Sequence, residues 1–287
     1  MARKVAIVTD SSACIPDELV AEYGIEVVPM SVILEGKTYR DGIDLSHAEF
    51  YARLREAKDL PTTAHSSPGA YLEAYQRASH RAASVLCITI SQVFSGQYNS
   101  ARIARELAGS ALPGVAVTVL DCGTAAAAQG FVVLAAARAA ASGRSLAEVT
   151  EAARGLARRV RLLAMVADLN YLVRGGHAPK IAAMASSLFR IKPLFTLSDG
   201  EARPAANART TGGAIKRLLT IMKRQSVKGQ PLHVAVMHAD ARSDALTLKE
   251  RIAAQFDCAE LWTTEFTPVM GAHIGPGLIG VAFYSGD

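Results

Sequence analysis

Short apolar, β-branched runs recur at Val5–Thr9, Val27–Leu34, Val85–Ile90 and Val115–Leu120, and most are separated by stretches with helical apolar spacing. This βαβ rhythm predicts a parallel sheet with helices packed on it. The helix starts are marked: Ser46-His47-Ala48-Glu49 and Ser145-Leu146-Ala147-Glu148 fit the capping box, and Ser67-Pro68 supplies a cap with proline at the first helical position. Gly24 and Gly143 are suitable stops. Beyond about residue 155 the pattern changes. Lys192–Leu197 and Ala202–Ala208 flank Ser198-Asp199-Gly200 and predict an antiparallel pair, with further strands at Leu232–Met237, Ala259–Phe266 and Leu278–Phe283. The fold class is α/β, with an N-terminal parallel-sheet domain over residues 1–155 and a C-terminal α/β domain with a mixed sheet over 156–287. Neither repeats nor long linkers interrupt it, so a ligand is expected between the two domains.

Composition narrows the function. The chain has 287 residues, half of them hydrophobic but only 6% aromatic, which suits helices on a sheet better than an aromatic nucleic-acid platform. The net charge of +5 is spread along the chain, and its densest stretch, Arg154 to Arg161, reads as a solvated helix face. No nucleic-acid partner is expected; an acidic protein partner is compatible with the charge. The four cysteines are far apart and suggest no disulfide framework, Cys87 reading as a small core residue. Met1-Ala2-Arg3-Lys4 leads straight into a strand without an apolar leader, and no eighteen-residue apolar span occurs, so a cytoplasmic location is expected.

The strand Val85–Ile90 ends in Ser91-Gln92-Val93-Phe94-Ser95-Gly96-Gln97, and helix resumes at Ser100–Ala108. Strand carboxyl ends, a glycine that admits a ligand close to the backbone and a helix N-terminus together suit an anion; alternatively Ser91 and Ser95 only cap the helix. Asp10-Ser11-Ser12 stands where an aspartyl nucleophile would, but lacks a second carboxylate and reads as a helix-capping turn. Pro61 to Pro68 is a polar loop that either holds a ligand head group or caps the next helix. Val173 to Lys180 surrounds Gly175-Gly176 with cationic or titratable side chains, as a docking point or as plain punctuation. In Gly271-Ala272-His273-Ile274-Gly275-Pro276-Gly277 one histidine stands among three glycines, able to donate to an oxyanion. No metal site is expected: HExxH is absent, and the spacing of His233 and His238 turns them to opposite faces of a strand. G-x-S-x-G, the P-loop and G-x-G-x-x-G are absent as well.

In order along nearly the whole chain, Val8-Thr9-Asp10-Ser11-Ser12, Tyr39-Arg40-Asp41-Gly42, Thr63 with Ser67-Pro68, Ser91 to Ala101, Tyr171-Leu172 with Gly175-Gly176, Ile191-Lys192-Pro193, Asp199-Gly200, Ala208-Arg209-Thr210 and His273-Ile274-Gly275-Pro276-Gly277 resemble the DegV family. The resemblance implies a two-domain carrier without catalytic residues or cofactor, the subunit of bacterial fatty acid kinase that binds a long-chain fatty acid. A separate kinase subunit then phosphorylates the bound carboxylate to an acyl phosphate for phospholipid synthesis, and lipid exchange allows transient membrane contact. By motif position Thr63, Ser95 and His273 match the family's carboxylate-binding residues, with the backbone N–H of Gly96 as an extra donor; Arg209, and more weakly Arg174, match kinase engagement. The donor chemistry agrees, since hydroxyls and a histidine N–H suit a carboxylate. Burying roughly fourteen methylenes at about 0.8 kcal/mol each gives on the order of 11 kcal/mol gross, so the tail dominates affinity and the head group orientation.

The chain departs from the family pattern at Ala64-His65, Gln97 and His177, in place of Ser-Gln, threonine and arginine. The first two border the expected head-group site, where His65 adds a titratable donor. Two rival functions remain at this stage: a stand-alone lipid sensor, and an acyl-ester hydrolase using Ser95 and His273.

Overall fold

Branched apolar side chains over Val5–Asp10 favour extended backbone, and all six residues are buried, which makes this strand, β1, the interior of a sheet rather than its edge. The computed structural model describes residues 4–174, 191–198 and 200–286. Its contacts divide the chain into two compact units, Met1–Ser31 with Ala64–Arg158, and Val32–Thr63 with Arg159–Asp287. Residues 32–63, which the sequence reading assigned to the N-terminal domain, thus fold with the C-terminal unit. The strands after β1 are β2 (Glu26–Val28), β3 (Ser31–Leu34), β4 (Lys37–Arg40), β5 (Thr62–Ala64), β6 (Ser84–Thr89), β7 (Ala116–Asp121), β8 (Arg161–Met165), β9 (Lys192–Ser198), β10 (Glu201–Ala208), β11 (Leu232–His238), β12 (Cys258–Glu265) and β13 (Ile279–Ser285).

In the first unit the sheet order is β2-β1-β6-β7 with every pairing parallel. Alternation along the strands turns Ala6, Val8, Val85 and Cys87 to one face, where they pack with Tyr71, Ala74, Tyr75 and Ala78 of the helix Pro68–Ser79 and Ala101, Ala104 and Ala108 of the helix Gln97–Ala111. The helix Ala126–Ala141 is apolar on all sides and accordingly buried. Its Gln129 Nε2 donates to Thr9 Oγ1 at 3.2 Å. A Cβ at Gly130 would stand 2.7 Å from the Ala13 carbonyl, so only glycine lets this helix lie on the turn after β1.

The expected strand Val27–Leu34 is two strands in different sheets. Pro29, with no N–H to offer a ladder, separates β2 from β3, and the chain leaves the first unit just beyond it. It returns at Thr63 and Ala64, inside β5, where the sequence suggested only a polar loop.

The second unit carries a six-stranded sheet in order β10-β9-β8-β13-β11-β12, antiparallel except for β11 with β12. Leu163, Met165, Leu194, Val234, Val236, Ile279 and Val281 form its core with Ile215, Leu218 and Met222 of the helix Thr211–Gln225 and Leu248 and Ile252 of the helix Arg242–Ala253. A three-stranded sheet, β4-β3-β5, accompanies the helix His47–Glu56. The expected capping box starts that helix: Ser46 Oγ accepts from Glu49 N, and the Glu49 carboxylate accepts from Ser46 N. Among the described residues Cys14, Cys87, Cys122 and Cys258 form no disulfide. Among the described residues no helix is long and apolar enough to cross a membrane.

Candidate carboxylate-binding site

Thr63 and His273 lie 210 residues apart in sequence, yet Thr63 Oγ1 and His273 Nε2 stand 2.8 Å from one another in the second unit. Both are half-buried. Thr63 projects from β5; His273 sits in the last turn of the helix Pro268–Ile274. The sequence reading gave Gly271 to Ile274 no secondary structure, and in the structure they are helix. Seven residues with an internal glycine have little helical propensity of their own, so tertiary contacts hold the turn. Asp41 Oδ1 accepts from Val269 N at 3.0 Å, and Tyr51 Oη donates to the Phe266 carbonyl at 3.0 Å just before the helix. Phe50 and Tyr51 press so closely on Gly271 that a Cβ would collide with both rings. Gly275, at φ +73°, ends the helix beneath the Tyr171 ring. Asp41, Tyr51 and Gly271 therefore position His273. Asp41 and Gly271 fell inside motifs quoted above, but nothing local marked their role; Tyr51 carried no signal beyond the apolar face of its helix.

The pair has one useful chemical arrangement. When His273 Nε2–H donates to Thr63 Oγ1, the threonine hydroxyl keeps its own proton for an outside acceptor, and the two dipoles reinforce each other. That acceptor would be an anion such as a carboxylate.

Ser95 and Gly96 belong to the first unit, in the turns that follow β6. Gly96 is the N-cap of the helix Gln97–Ala111 and, having no side chain, leaves the first helical N–H groups uncapped. Neither the Ser95 hydroxyl nor the Gly96 N–H makes a hydrogen bond to a described residue. His65 lies against Gly96, its Cδ2 and Nε2 at 2.9 and 3.1 Å from where a Cβ would be. Gln97 does the opposite of facing a ligand. It is fully buried, its Oε1 accepts from Ser66 N at 3.0 Å and its Nε2 donates to Ser66 Oγ at 3.2 Å, while Ser66 Oγ donates to the Pro29 carbonyl. The departure at Gln97 is thus a brace of the scaffold.

Asp10-Ser11-Ser12 is structural, as its sequence suggested: Asp10 caps the turn Ser11–Ala13 and is wholly buried. Burial pushes its carboxyl above the usual carboxylate range, against the downward pull of hydrogen bonds from Ser12, Ile90 and Gln129. His233 and His238 face apart, His233 Nδ1 lying 2.6 Å from Glu260 and stacked on Tyr284, His238 turned towards Glu265. Arg209 is exposed just before Thr210, the N-cap of the helix Thr211–Gln225. Arg174 is the last residue of the helix Leu169–Arg174, and Gly175, Gly176 and His177 lie outside the described residues. No cluster of three metal-ligating side chains occurs among the described residues.

The profile of a family described as "Uncharacterised protein, DegV family" matches residues 4–286. The chain belongs to the DegV family. A DegV domain-containing protein of Streptomyces coelicolor is 34% identical over 287 residues, covering 99% of this chain and 100% of that one. The fold recurs at a TM-score of 0.90 in a DegV family protein from Thermus thermophilus described by its fatty acid binding, 30% identical over 98% of this chain and 99% of that one. It recurs at 0.89 in DegV of Bacillus subtilis, described as a fatty acid binding protein, 29% identical over 99% of this chain and 100% of that one.

Proposed function

We propose that this DegV chain binds a long-chain fatty acid by its carboxylate and carries it in the cytoplasm to a separate kinase subunit, which makes the acyl phosphate. The observation that carries the binding reading is the Thr63–His273 pair, an oriented hydroxyl backed by an imidazole in a chain whose family includes fatty-acid-binding proteins. Ser95 and the Gly96 N–H supply two further donors that no described residue uses. Carboxylates accept several hydrogen bonds at once, and donors held in place by strand and helix termini lose little freedom on binding. The acyl tail provides most of the affinity through its buried methylenes.

Arg209 is exposed, takes part in no ion pair with a described residue and precedes a helix N-terminus, where a cation is unfavourable for the helix itself. An arginine kept there suits an outside anion, and we assign it, with Arg174, to engagement of the kinase and its phosphoryl donor. The carrier has no catalytic step of its own.

Native mass spectrometry of the purified chain, followed by organic extraction, tests the binding reading. One long-chain fatty acid per chain is the expected result. A protein that arrives empty and takes up no added C14 to C18 fatty acid would overturn it.

A further inference from the structure

We propose that a basic groove on the second unit, between the helices Thr211–Gln225 and Arg242–Ala253, docks an acidic segment of a partner protein. This inference stands apart from the fatty-acid reading and uses none of its residues. The groove has a volume of about 570 Å³ and is lined by Lys216, Lys223, Arg224 and Arg251 around Leu219 and Thr220, with no carboxylate and no aromatic ring among its lining residues. All four cations are exposed, and none is in an ion pair with a described residue. The helix Thr211–Gln225 carries no acidic residue at all.

Helix electrostatics explains part of this pattern. Lys223 and Arg224 lie in the last turn of one helix and Arg251 in the last turn of the other, where cations complement the dipole. Lys216 lies seven residues before Lys223, about two turns or ~10 Å along the axis, outside the reach of that effect. Four like charges around one concavity repel each other, and an anionic occupant removes the repulsion. Exposed cations on long stems do not form a rigid cradle for a single small anion, and the absence of an aromatic platform argues against a nucleic-acid base. A row of cations two helical turns long matches several carboxylates in succession, and a groove suits a protruding segment better than a flat membrane.

The test uses a fluorescein-labelled twelve-residue polyglutamate peptide as probe, titrated by anisotropy into the full chain at low and at physiological salt. Lys223→Glu with Arg251→Glu should weaken binding at least tenfold, whereas Arg144→Glu with Arg158→Glu, an equal charge change at exposed positions of the first unit, should weaken it less than twofold. Equal weakening by the two pairs would reduce the effect to net charge and overturn the proposal, as would a wild-type chain that shows no saturable binding. Failure to bind the peptide together with groove-dependent binding to phosphatidylglycerol vesicles would assign the patch to a membrane and overturn it too. Circular dichroism melts of both variants confirm that the fold is intact.

Discussion

β1 and β6 pair in the same parallel sheet, and both end in turns rich in hydroxyls, but the turns differ in what they do with their polar groups. After β1 the protein satisfies itself. Asp10 Oδ2 accepts from Ile90 N at 2.9 Å, its Oδ1 accepts from Ser12 N and Gln129 Nε2 at 3.2 Å, Ser12 Oγ also donates to it, and Ser11 Oγ accepts from Met30 N. After β6 only the first part of the turn is satisfied: Ser91 N donates to the Thr124 carbonyl at 3.0 Å and Ser91 Oγ accepts from Val93 N at 3.4 Å, but the Ser95 hydroxyl and the Gly96 N–H find no described partner, and the helix that follows has no side-chain cap. Hydroxyls and a strand end are common to both turns, so neither feature identifies a site. The distinction is whether the scaffold consumes the donors or leaves them for something else.

The largest expected effect tests the closed end. Asp10→Ala strands the Ile90 and Ser12 N–H groups and the Gln129 amide in a dry interior, and should lower unfolding free energy by about 3–5 kcal/mol in urea titrations. Ser95→Ala should change it by less than about 0.5 kcal/mol, because its hydroxyl makes no hydrogen bond to a described residue that could be lost. Comparable losses in the two variants would erase the contrast. Asp10 also gives the contrast a pH signature. Its folded pKa is raised, so between the ordinary aspartate value and the raised one the folded state holds the proton that the unfolded state has lost. Stability from this group is therefore present below the unfolded value and declines as pH rises through that window. Asp44, held down to about 2 by the Arg40 side chain, runs the other way. Subtracting the pH profile of Asp10→Asn from that of the wild type cancels it, and the difference should fall with rising pH; a difference that rises would contradict the burial argument.

How far such features show in the sequence depends on how local they are. The capping boxes at Ser46 and Ser145, the Ser67 cap and the β9–β10 hairpin were legible because their determinants lie within a few residues. The split of Val27–Leu34 at Pro29 and the allegiance of residues 32–63 to the second unit were not, since both depend on which distant strand is available. The helix at Gly271 to Ile274 was not legible because so short a glycine-containing helix is held by Asp41, Tyr51 and Phe50, more than 200 residues away in sequence. The Thr63–His273 pair spans the same kind of distance, and only the family resemblance brought its members together. Gln97 shows the converse limit: sequence marked it as a departure bordering the expected site but not that its amide turns inward to Ser66.

A second contrast, between the paired and the single hydroxyl, orders the effects on ligand. Thr63→Val removes the proton donor and leaves His273 facing a methyl group, so fatty acid affinity should fall roughly 10- to 100-fold, about 1.4–2.8 kcal/mol, when measured by displacement of a fluorescent fatty acid. His273→Ala should fall in the same range, and the double variant should lose much less than the sum, because the two act as one unit. Strict additivity would show that they act separately. Ser95→Ala removes one half-buried donor and should cost about 1 kcal/mol, some fivefold. If Ser95→Ala proves as damaging as Thr63→Val, the open turn after β6 is the principal anchor and the order of the two is reversed.

Arg209→Ala should have the smallest effect on both stability and lipid affinity. Its side chain is exposed, packs into no core and pairs with no described residue, so unfolding free energy should stay within about 0.5 kcal/mol of wild type and fatty acid affinity within about twofold. A kinase-coupled assay separates a carrier from a partner-binding arginine: at saturating lipid the Arg209→Ala carrier should support much slower acyl phosphate formation, and raising its concentration should restore the rate if the arginine docks the kinase. Arginine stabilising phosphate charge during transfer would instead lower the rate at every carrier concentration. Equal loss of lipid affinity and of phosphorylation would place Arg209 in the lipid site, and the division of labour between binding and engagement would then fail.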